Sequence, residues 1–322
     1  MMFRRLRRFR DRNRPDLHFP GLIRGQAGEL RAALRRTLAE KGATVRYDGL
    51  HAIIDHPRQG RVTVNLENLI GDVAASQHPK APRSMARAFV SSILDGEPTD
   101  TWTTADLYAG LRLRIAPTSH LVPEERDIIT SATLEEFTVD TVVTLVLDTE
   151  RTIQTMPIDR LREHDDVDTL VRAARNNLWK ELHDANVRTH LHPASEDHPG
   201  ARFRSFESGS YYTATAPVLF PRILEAWAPD LDHSRGVLFA MPIRHILLVR
   251  EITTGEDLLE GLGRLAPVAA QLALDGAHAV SPLLHMWHNG EVTTLTSFDQ
   301  QARELKIIPT TYLVELMASE DD

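Results

Sequence analysis

Four histidines and three acids fall between positions 183 and 198, and no other stretch of the chain comes as near to a reaction centre. His183, His190, His192 and His198 lie beside Asp184, Glu196 and Asp197. Alternate residues of a strand point to one face, so a strand through His190-Leu191-His192 would present both imidazoles together. With His183 they would supply three nitrogen ligands for zinc or a similar metal, leaving a position open for water. Such a centre would make the chain a metal-dependent hydrolase. The same alternation admits a second outcome, with Leu191 facing the core and the histidines facing solvent. The stretch does not contain the two histidines at i, i+4 with a glutamate base that mark a zincin helix.

The other candidate chemistries fall short on context. Gly261-Leu-Gly263-Arg-Leu-Ala266 spells a dinucleotide-binding fingerprint, which works only between the end of a strand and the start of a helix. Here it follows Asp257-Leu-Leu-Glu260 inside a helical apolar stripe, where small residues serve close packing. Ser208-Gly-Ser210 is a glycine-flanked serine pair but not the strand–turn–helix elbow of a hydrolase nucleophile. No phosphate-binding GxxxxGK[ST] loop occurs. Asp230 with Glu304 and Lys306 would make a nuclease-like set only across a long sequence gap. No catalytic residue and no cofactor is assigned from these motifs.

Binding chemistry is easier to place. Arg244 and His245 fall on a tight turn after Pro242 between two apolar runs, Gly236–Met241 and Ile246–Ile252, which puts a charged pair near the surface. Tyr211 and Tyr212 follow the serine pair, and tyrosine with arginine is the composition of protein-binding surfaces. Trp227, Phe239, Trp287 and His288 could join that surface or fill the core. The first 14 residues form a basic arm: Arg4, Arg5, Arg7, Arg8, Arg10, Arg12 and Arg14 against Asp11 give it a net +6. The whole chain is −8, so the rest of it carries −14. An acidic body argues against nucleic acid as a partner. The arm could make a weak contact with an anionic membrane surface, or remain solvated.

There are no cysteines among the 322 residues, which excludes disulfides, thiolate metal sites and cysteine nucleophiles. No apolar run long enough to span a membrane and no secretory leader is visible, so a cytoplasmic location is expected.

The elements that would position these residues are α+β. Leu30, Leu34 and Leu38 mark a helix over 26–41. Asp48-Gly49 and Asn289-Gly290 mark tight hairpins. Helices are expected over 67–76, 82–95, 101–111 (capped by Thr103 or Thr104), 165–183 and 254–274, the last kinked or split at Pro267. Strands are expected over 111–115, 138–147, 152–156, 187–191, 201–206 and on both sides of Pro242. Short connections favour antiparallel pairing. The expected architecture is tandem modules of antiparallel sheet with helices packed on one face: a disordered arm and linker over 1–25, then modules over 26–110, 111–210 and 211–322.

Four stretches resemble an uncharacterised bacterial family catalogued as domain of unknown function 1444. They are the opening Leu-x3-Leu helix with Lys41-Gly42-Ala-Thr-Val-Arg-Tyr-Asp48, the Leu113-Arg-Ile115-x-Pro117 strand, Ser208-Gly-Ser-Tyr211-Tyr212 before Arg222-Ile-Leu224, and Phe239-Ala-Met-Pro242-x3-Ile-Leu-Leu-Val249. The resemblance spans roughly 27–300 and implies the fold without an activity. The layout is also similar to secretion-chaperone folds. Together these readings point to a non-catalytic, cytoplasmic protein-binding or adaptor protein with a protein partner. The metal-dependent hydrolase and the membrane-recruited protein are the alternatives.

Overall fold

The computed structural model describes residues 14–16, 19, 21–48, 50–57, 60–76, 78, 80–94, 103–119, 121, 123–148, 153–194, 201–276, 278–299 and 304–319. The fold is α+β, and the chain divides into two compact units. The first takes Met1–Trp102 with Glu150–Thr152; the second takes Thr103–Thr149 with Ile153–Asp322.

The first unit is a helix, a three-stranded meander and two more helices. Helix α1 (Arg24–Glu40) buries Ala27, Leu30, Leu34 and Leu38 at i, i+3/i+4 spacing. Strands β1 (Thr44–Asp48), β2 (His51–His56) and β3 (Gly60–Asn65) pair in order, and β2 offers Ala52 and Ile54 to the core. β1 and β2 pair antiparallel on either side of the expected turn, with Asp48 opposite His51. Helices α2 (Glu67–Ala75) and α3 (Ala81–Leu94) complete the cluster. The linker expected to be disordered through residue 25 is instead part of this unit. Phe19 and Leu22 are fully buried in its core. Pro15 and Ile23 form an antiparallel bridge, and Gly21, at φ 82°, turns the chain between them. Asp16 pairs with Arg31 at 2.6 Å, and that guanidinium lies 4.2 Å over the Phe19 ring.

Among its described residues the second unit holds a four-stranded sheet, a six-stranded sheet and a two-stranded ribbon. Helix α4 (Thr104–Gly110) leads into β4 (Leu111–Pro117), then α5 (Pro123–Ala132), β5 (Thr133–Thr138), β6 (Thr141–Asp148) and β7 (Ile153–Thr155). Both β4 and β5 pair antiparallel with β6, and β7 pairs with its C-terminal end. Thr103 caps α4, its hydroxyl accepting from Asp106 N at 3.2 Å. Thr103→Ala is therefore expected to lower the unfolding free energy by about 1 kcal/mol, read by urea denaturation. A short α6 (Ile158–Arg162) precedes α7 (Val167–Asp184). Leu170, Ala174, Leu178 and Leu182 of α7 are fully buried, as are Leu111 and Leu113 of β4, the strand on which this helix packs.

The larger sheet has six antiparallel strands in the order β13-β12-β10-β11-β9-β8. They are β8 (Arg188–His192), β9 (Phe203–Glu207), β10 (Val237–Ala240), β11 (Ile246–Glu251), β12 (Leu284–His288) and β13 (Glu291–Thr294). The pair around Pro242 is its centre, with Phe239 opposite Val249. One face, through Leu238, Ala240, Leu248, Leu284 and Met286, packs on the apolar stripe of α9 (Gly255–Asp275). The helix runs unbroken through Pro267, so the expected split does not occur. The other face carries Phe239, which meets Phe220 at 5.5 Å and Phe137 at 6.4 Å. A 3-10 helix (Thr213–Leu219) and α8 (Arg222–Trp227) flank Phe220. Both faces of the sheet centre are thus covered, where helices on one face only were expected. The hairpin at Asn289-Gly290 forms with both residues at positive φ, 52° and 84°, the conformation of a type I′ turn. A two-stranded ribbon, β14 (Thr296–Asp299) with β15 (Glu304–Ile307), and α10 (Thr311–Ala318) end the described chain.

The expected boundaries at 110/111 and 210/211 do not hold. β8 and β9, assigned to the middle module, join the sheet of the last one because β9 pairs with β11 in register, Leu247 opposite Phe206.

Candidate functional site

The turn between β10 and β11 is held from two sides by main-chain bonds. On one side Arg244 N donates to His278 O at 3.2 Å, Val280 N to Pro242 O at 2.9 Å and Ser281 N to Met241 O at 3.0 Å. On the other, Ala214 N donates to Arg244 O at 3.0 Å and Ser208 N to His245 O at 3.3 Å. The backbone of the turn is therefore held on both sides.

Around this turn the structure gathers Tyr211, Arg244, His245 and His278. The Arg244 guanidinium lies 4.8 Å over the Tyr211 ring. The His245 ring is 5.4 Å from Tyr211 and 6.3 Å from His278. His245 Nδ1 is 3.0 Å from the Ser210 carbonyl. Tyr211 is 45% exposed, while Tyr212, expected on the same surface, is buried at 1%. Tyr212 turns inward because its hydroxyl donates to Asp148 at 2.8 Å. Burial and the Asp148 charge push that phenol up, and burial pushes the Asp148 carboxyl up as well. The Ser210 hydroxyl donates to Glu181 at 3.0 Å.

One member of this group, His278, was not singled out from sequence. Nothing in the sequence around His278 marks it. His278 sits at φ 65°, an uncommon conformation for a residue with a side chain. Burial first, then the charges of Arg244, His245 and Arg114, hold its imidazole down to about 3. It is neutral at physiological pH.

The histidine-rich stretch resolves differently. His190 and His192 do lie on one face of β8, but no group of three His, Asp or Glu side chains able to hold a metal occurs among the described residues. His192 Nε2 is 2.9 Å from Ser205 Oγ, and its ring stacks on Phe203 at 4.5 Å. His183 pairs with Asp184 at 3.3 Å and packs beside Trp179. The expected His183, His190, His192 metal set is therefore not assembled among the described residues: the His192 and His183 rings are engaged with different neighbours. Nor does Leu191 face the core; it is 56% exposed, because β8 is a sheet edge and lies opposite Arg204, whose guanidinium pairs with Asp230. Glu196, Asp197 and His198 lie outside the described residues, as does the arm with Arg4, Arg5, Arg7, Arg8 and Arg10.

Two arrangements look catalytic until their geometry is read. Ser281 Oγ donates to Asp140 at 2.8 Å and lies 3.3 Å from His285 Nε2. A hydrolytic triad needs the histidine between serine and acid. Here the serine is in the middle, and both Ser281 and His285 are fully buried. The set ties the β5–β6 turn to β12. In the second, Gly261 lies against Arg250: a Cβ there would come within 2.2 Å of Nε. Arg250, 2% exposed, donates to Arg202 O at 2.6 Å, to Asp257 O at 2.9 Å and to the Asp257 carboxylate. The dinucleotide-like spelling is thus the clearance for a buried arginine under α9. Asp230 pairs with Arg204 at 2.7 Å, and Lys306 lies 3.5 Å from Glu304, so no nuclease-like set assembles.

No helix among the described residues is long and apolar enough to cross a membrane. Comparisons with protein-family models, curated proteins and solved structures gave no match for this chain.

Proposed function

We propose that this chain is a non-catalytic, cytoplasmic protein-binding or adaptor protein of the family catalogued as domain of unknown function 1444. Its partner docks on the surface made by Tyr211, Arg244 and His245. The observation that carries this reading is the pre-organised aromatic–cationic cluster: a 45% exposed tyrosine under an arginine, on a turn fixed by five main-chain bonds. Tyrosine and arginine dominate binding hot spots, and a rigid turn spares the ordering cost on association. The covered faces of the central sheet favour a turn-borne site over a sheet-face one.

Three features favour binding over chemistry. Neither the Ser208 nor the Ser210 hydroxyl is bonded to an imidazole ring among the described residues; they meet Thr213 at 2.6 Å and Glu181 at 3.0 Å. The described histidines do not converge on a metal position. In the Ser281–His285–Asp140 set the serine and the histidine are fully buried. In a quantitative pull-down from native cytosol, the double variant Tyr211→Ala, Arg244→Ala is expected to lose at least tenfold of a stoichiometric partner that the wild type retains. Equal retention by both would remove this surface from the account.

A further inference from the structure

The second unit contains a chain of hydrogen bonds that begins and ends on the β5–β6 turn. Val139 N donates to Thr294 Oγ1 at 3.5 Å, and Thr294 Oγ1 lies 3.2 Å from His285 Nδ1. His285 Nε2 lies 3.3 Å from Ser281 Oγ, and the Ser281 hydroxyl donates to Asp140 Oδ2 at 2.8 Å. Thr138 donates to the other carboxylate oxygen at 2.8 Å and lies 2.6 Å from Thr141 Oγ1. Ser281, His285 and Thr141 are fully buried, and the Phe239 ring lies 5.3 Å from the imidazole. Asp140 and Thr294 are half-buried. Among the described residues no further charged side chain acts on Asp140 or His285.

Donors and acceptors leave one arrangement while Asp140 is ionised. A carboxylate only accepts, so it takes the single Ser281 hydrogen. Ser281 Oγ then accepts, from Leu283 N at 3.1 Å and from the imidazole. Nε2 therefore carries the ring hydrogen, and Nδ1 accepts from the Thr294 hydroxyl. A protonated Asp140 brings one hydrogen more, which can go two ways. On Oδ1 it would turn Thr138 toward Thr141 and leave the fully buried Thr141 hydroxyl without an acceptor in this network. On Oδ2 it would donate to Ser281, and Ser281 to Nε2. The ring hydrogen would then sit on Nδ1, and the spare one would fall to Thr294, which reaches solvent. Stranding a buried hydroxyl is the costlier outcome, so the second route wins.

We propose that Asp140, Ser281, His285 and Thr294 form a proton-keyed switch, in which the charge state of the β5–β6 turn sets the tautomer of a buried histidine in the six-stranded sheet. Ionised Asp140 selects Nε2–H, and neutral Asp140 selects Nδ1–H. The step balances. One proton enters at Thr294, whose own hydrogen passes to Nδ1; the Nε2 hydrogen passes to Ser281, and the Ser281 hydrogen to Asp140. The imidazole is neutral in both states, so no charge is placed in the core. Burial supports this order of events: it raises the Asp140 carboxyl and holds the His285 imidazole down to about 3, so the carboxyl takes its proton first as pH falls. Ser281 N also donates to Met241 O at 3.0 Å, so the residue that relays the proton state is one of the struts of the β10–β11 turn. The switch stands independently of the docking surface.

The test uses the full chain, isotope-labelled, with pH lowered from 8. The two ring nitrogens of His285 and the carboxyl carbon of Asp140 are followed by NMR, both assigned through the backbone. The expected result is Nε2–H at pH 8, then an exchange of the two nitrogen signals in step with the Asp140 carboxyl, above the ordinary carboxylate range. Asp140→Asn should abolish the exchange, and Ser281→Ala should abolish it while the carboxyl still titrates. Nδ1–H at pH 8, a single tautomer throughout the carboxyl titration, or a ring that becomes charged in that range would overturn the switch. An exchange that survives in Asp140→Asn would overturn it equally. The wild-type titration decides the matter alone where a variant does not fold.

Discussion

Replacing Arg250 with methionine should lower the unfolding free energy of the second unit by about 3–5 kcal/mol, the cost of breaking a buried charge pair from one side. The side chain is 2% exposed and links three segments. It donates to Arg202 O before β9, to Thr253 Oγ1 at 3.2 Å after β11, and to Asp257 in the first turn of α9. Methionine fills much of the volume but leaves the two carbonyls and the Asp257 carboxylate without their donor. Gly261→Ala attacks the same contact from the other side. Its Cβ would meet Arg250 Cζ at 2.6 Å and Cδ at 2.9 Å, so the arginine must move or the helix must lift. A loss of about 1–3 kcal/mol is expected from such overpacking. Gly263→Ala, two residues on, meets nothing within 4 Å and should be neutral or stabilising by up to about 1 kcal/mol through helix propensity. The pair also predicts coupling: in Arg250→Met the alanine at 261 should cost markedly less, because the atoms it strikes are gone. Chemical denaturation of the four variants gives the cycle. Equal cost of Gly261→Ala in both backgrounds would refute the contact.

The second large effect is acid sensitivity. His285 is fully buried on β12, its Nδ1 3.2 Å from Thr294 Oγ1 and its ring 5.3 Å from Phe239. Burial holds its imidazole down to about 3, against an ordinary value of 6.5. Below pH 6.5 the unfolded chain takes up this proton and the folded chain does not. Stability is therefore full above 6.5 and falls as pH drops toward 3. Between pH 7 and pH 5 this one residue should remove about 2 kcal/mol. His278 acts in the same direction, with less weight because its ring is partly solvated. Asp140 acts oppositely. Burial raises its carboxyl, so in the folded state it takes a proton before the unfolded chain does, and stability rises as pH falls through that range. His285→Gln isolates the histidine, since the amide can still reach Ser281 and Thr294. Wild type should lose about 2 kcal/mol more than this variant between pH 7 and pH 5. Parallel pH profiles would show that His285 is not held neutral.

Periodicity made the centre of the fold legible. The apolar runs on either side of Pro242, the stripe of α9 and the Asn289-Gly290 turn each carry a local signal, and each forms. Elements that carry their stability in tertiary contacts were hidden. β5 reads Thr-Leu-Glu-Glu-Phe-Thr, with no residue fully buried, and Phe137 reaches the central sheet through Phe239. α10 buries Leu313 alone. The partition into modules failed for a similar reason: β9 looks like the end of one hairpin but pairs with β11, forty residues on, and no local pattern encodes a partner at that distance. Phe19 and Leu22 were lost to a Pro- and Gly-rich stretch whose residues make a turn, where a linker was expected.

The candidate site divides along the same line. Arg244 and His245 are legible because a charged pair between two buried strands has to lie at the turn, and Tyr211 because it follows a glycine-flanked loop. Tyr212 was placed on the wrong side: its partner Asp148 is 64 positions away. His278 is distant in sequence from His245, and their rings come within 6.3 Å only in the folded chain. The histidine-rich stretch shows the converse. Density in sequence did not become convergence in space: His192 on the edge strand β8 meets Ser205 and Phe203, while His183 meets Asp184 and Trp179.

A photo-crosslinking side chain at position 211 tests whether a protein partner docks on Tyr211 and its turn, with position 139, where Val139 is 77% exposed, as the control. One discrete crosslinked species from native cytosol is expected at 211, absent at 139 and lost when Arg244→Ala is added. No species at 211, or the same species at both positions, would contradict it.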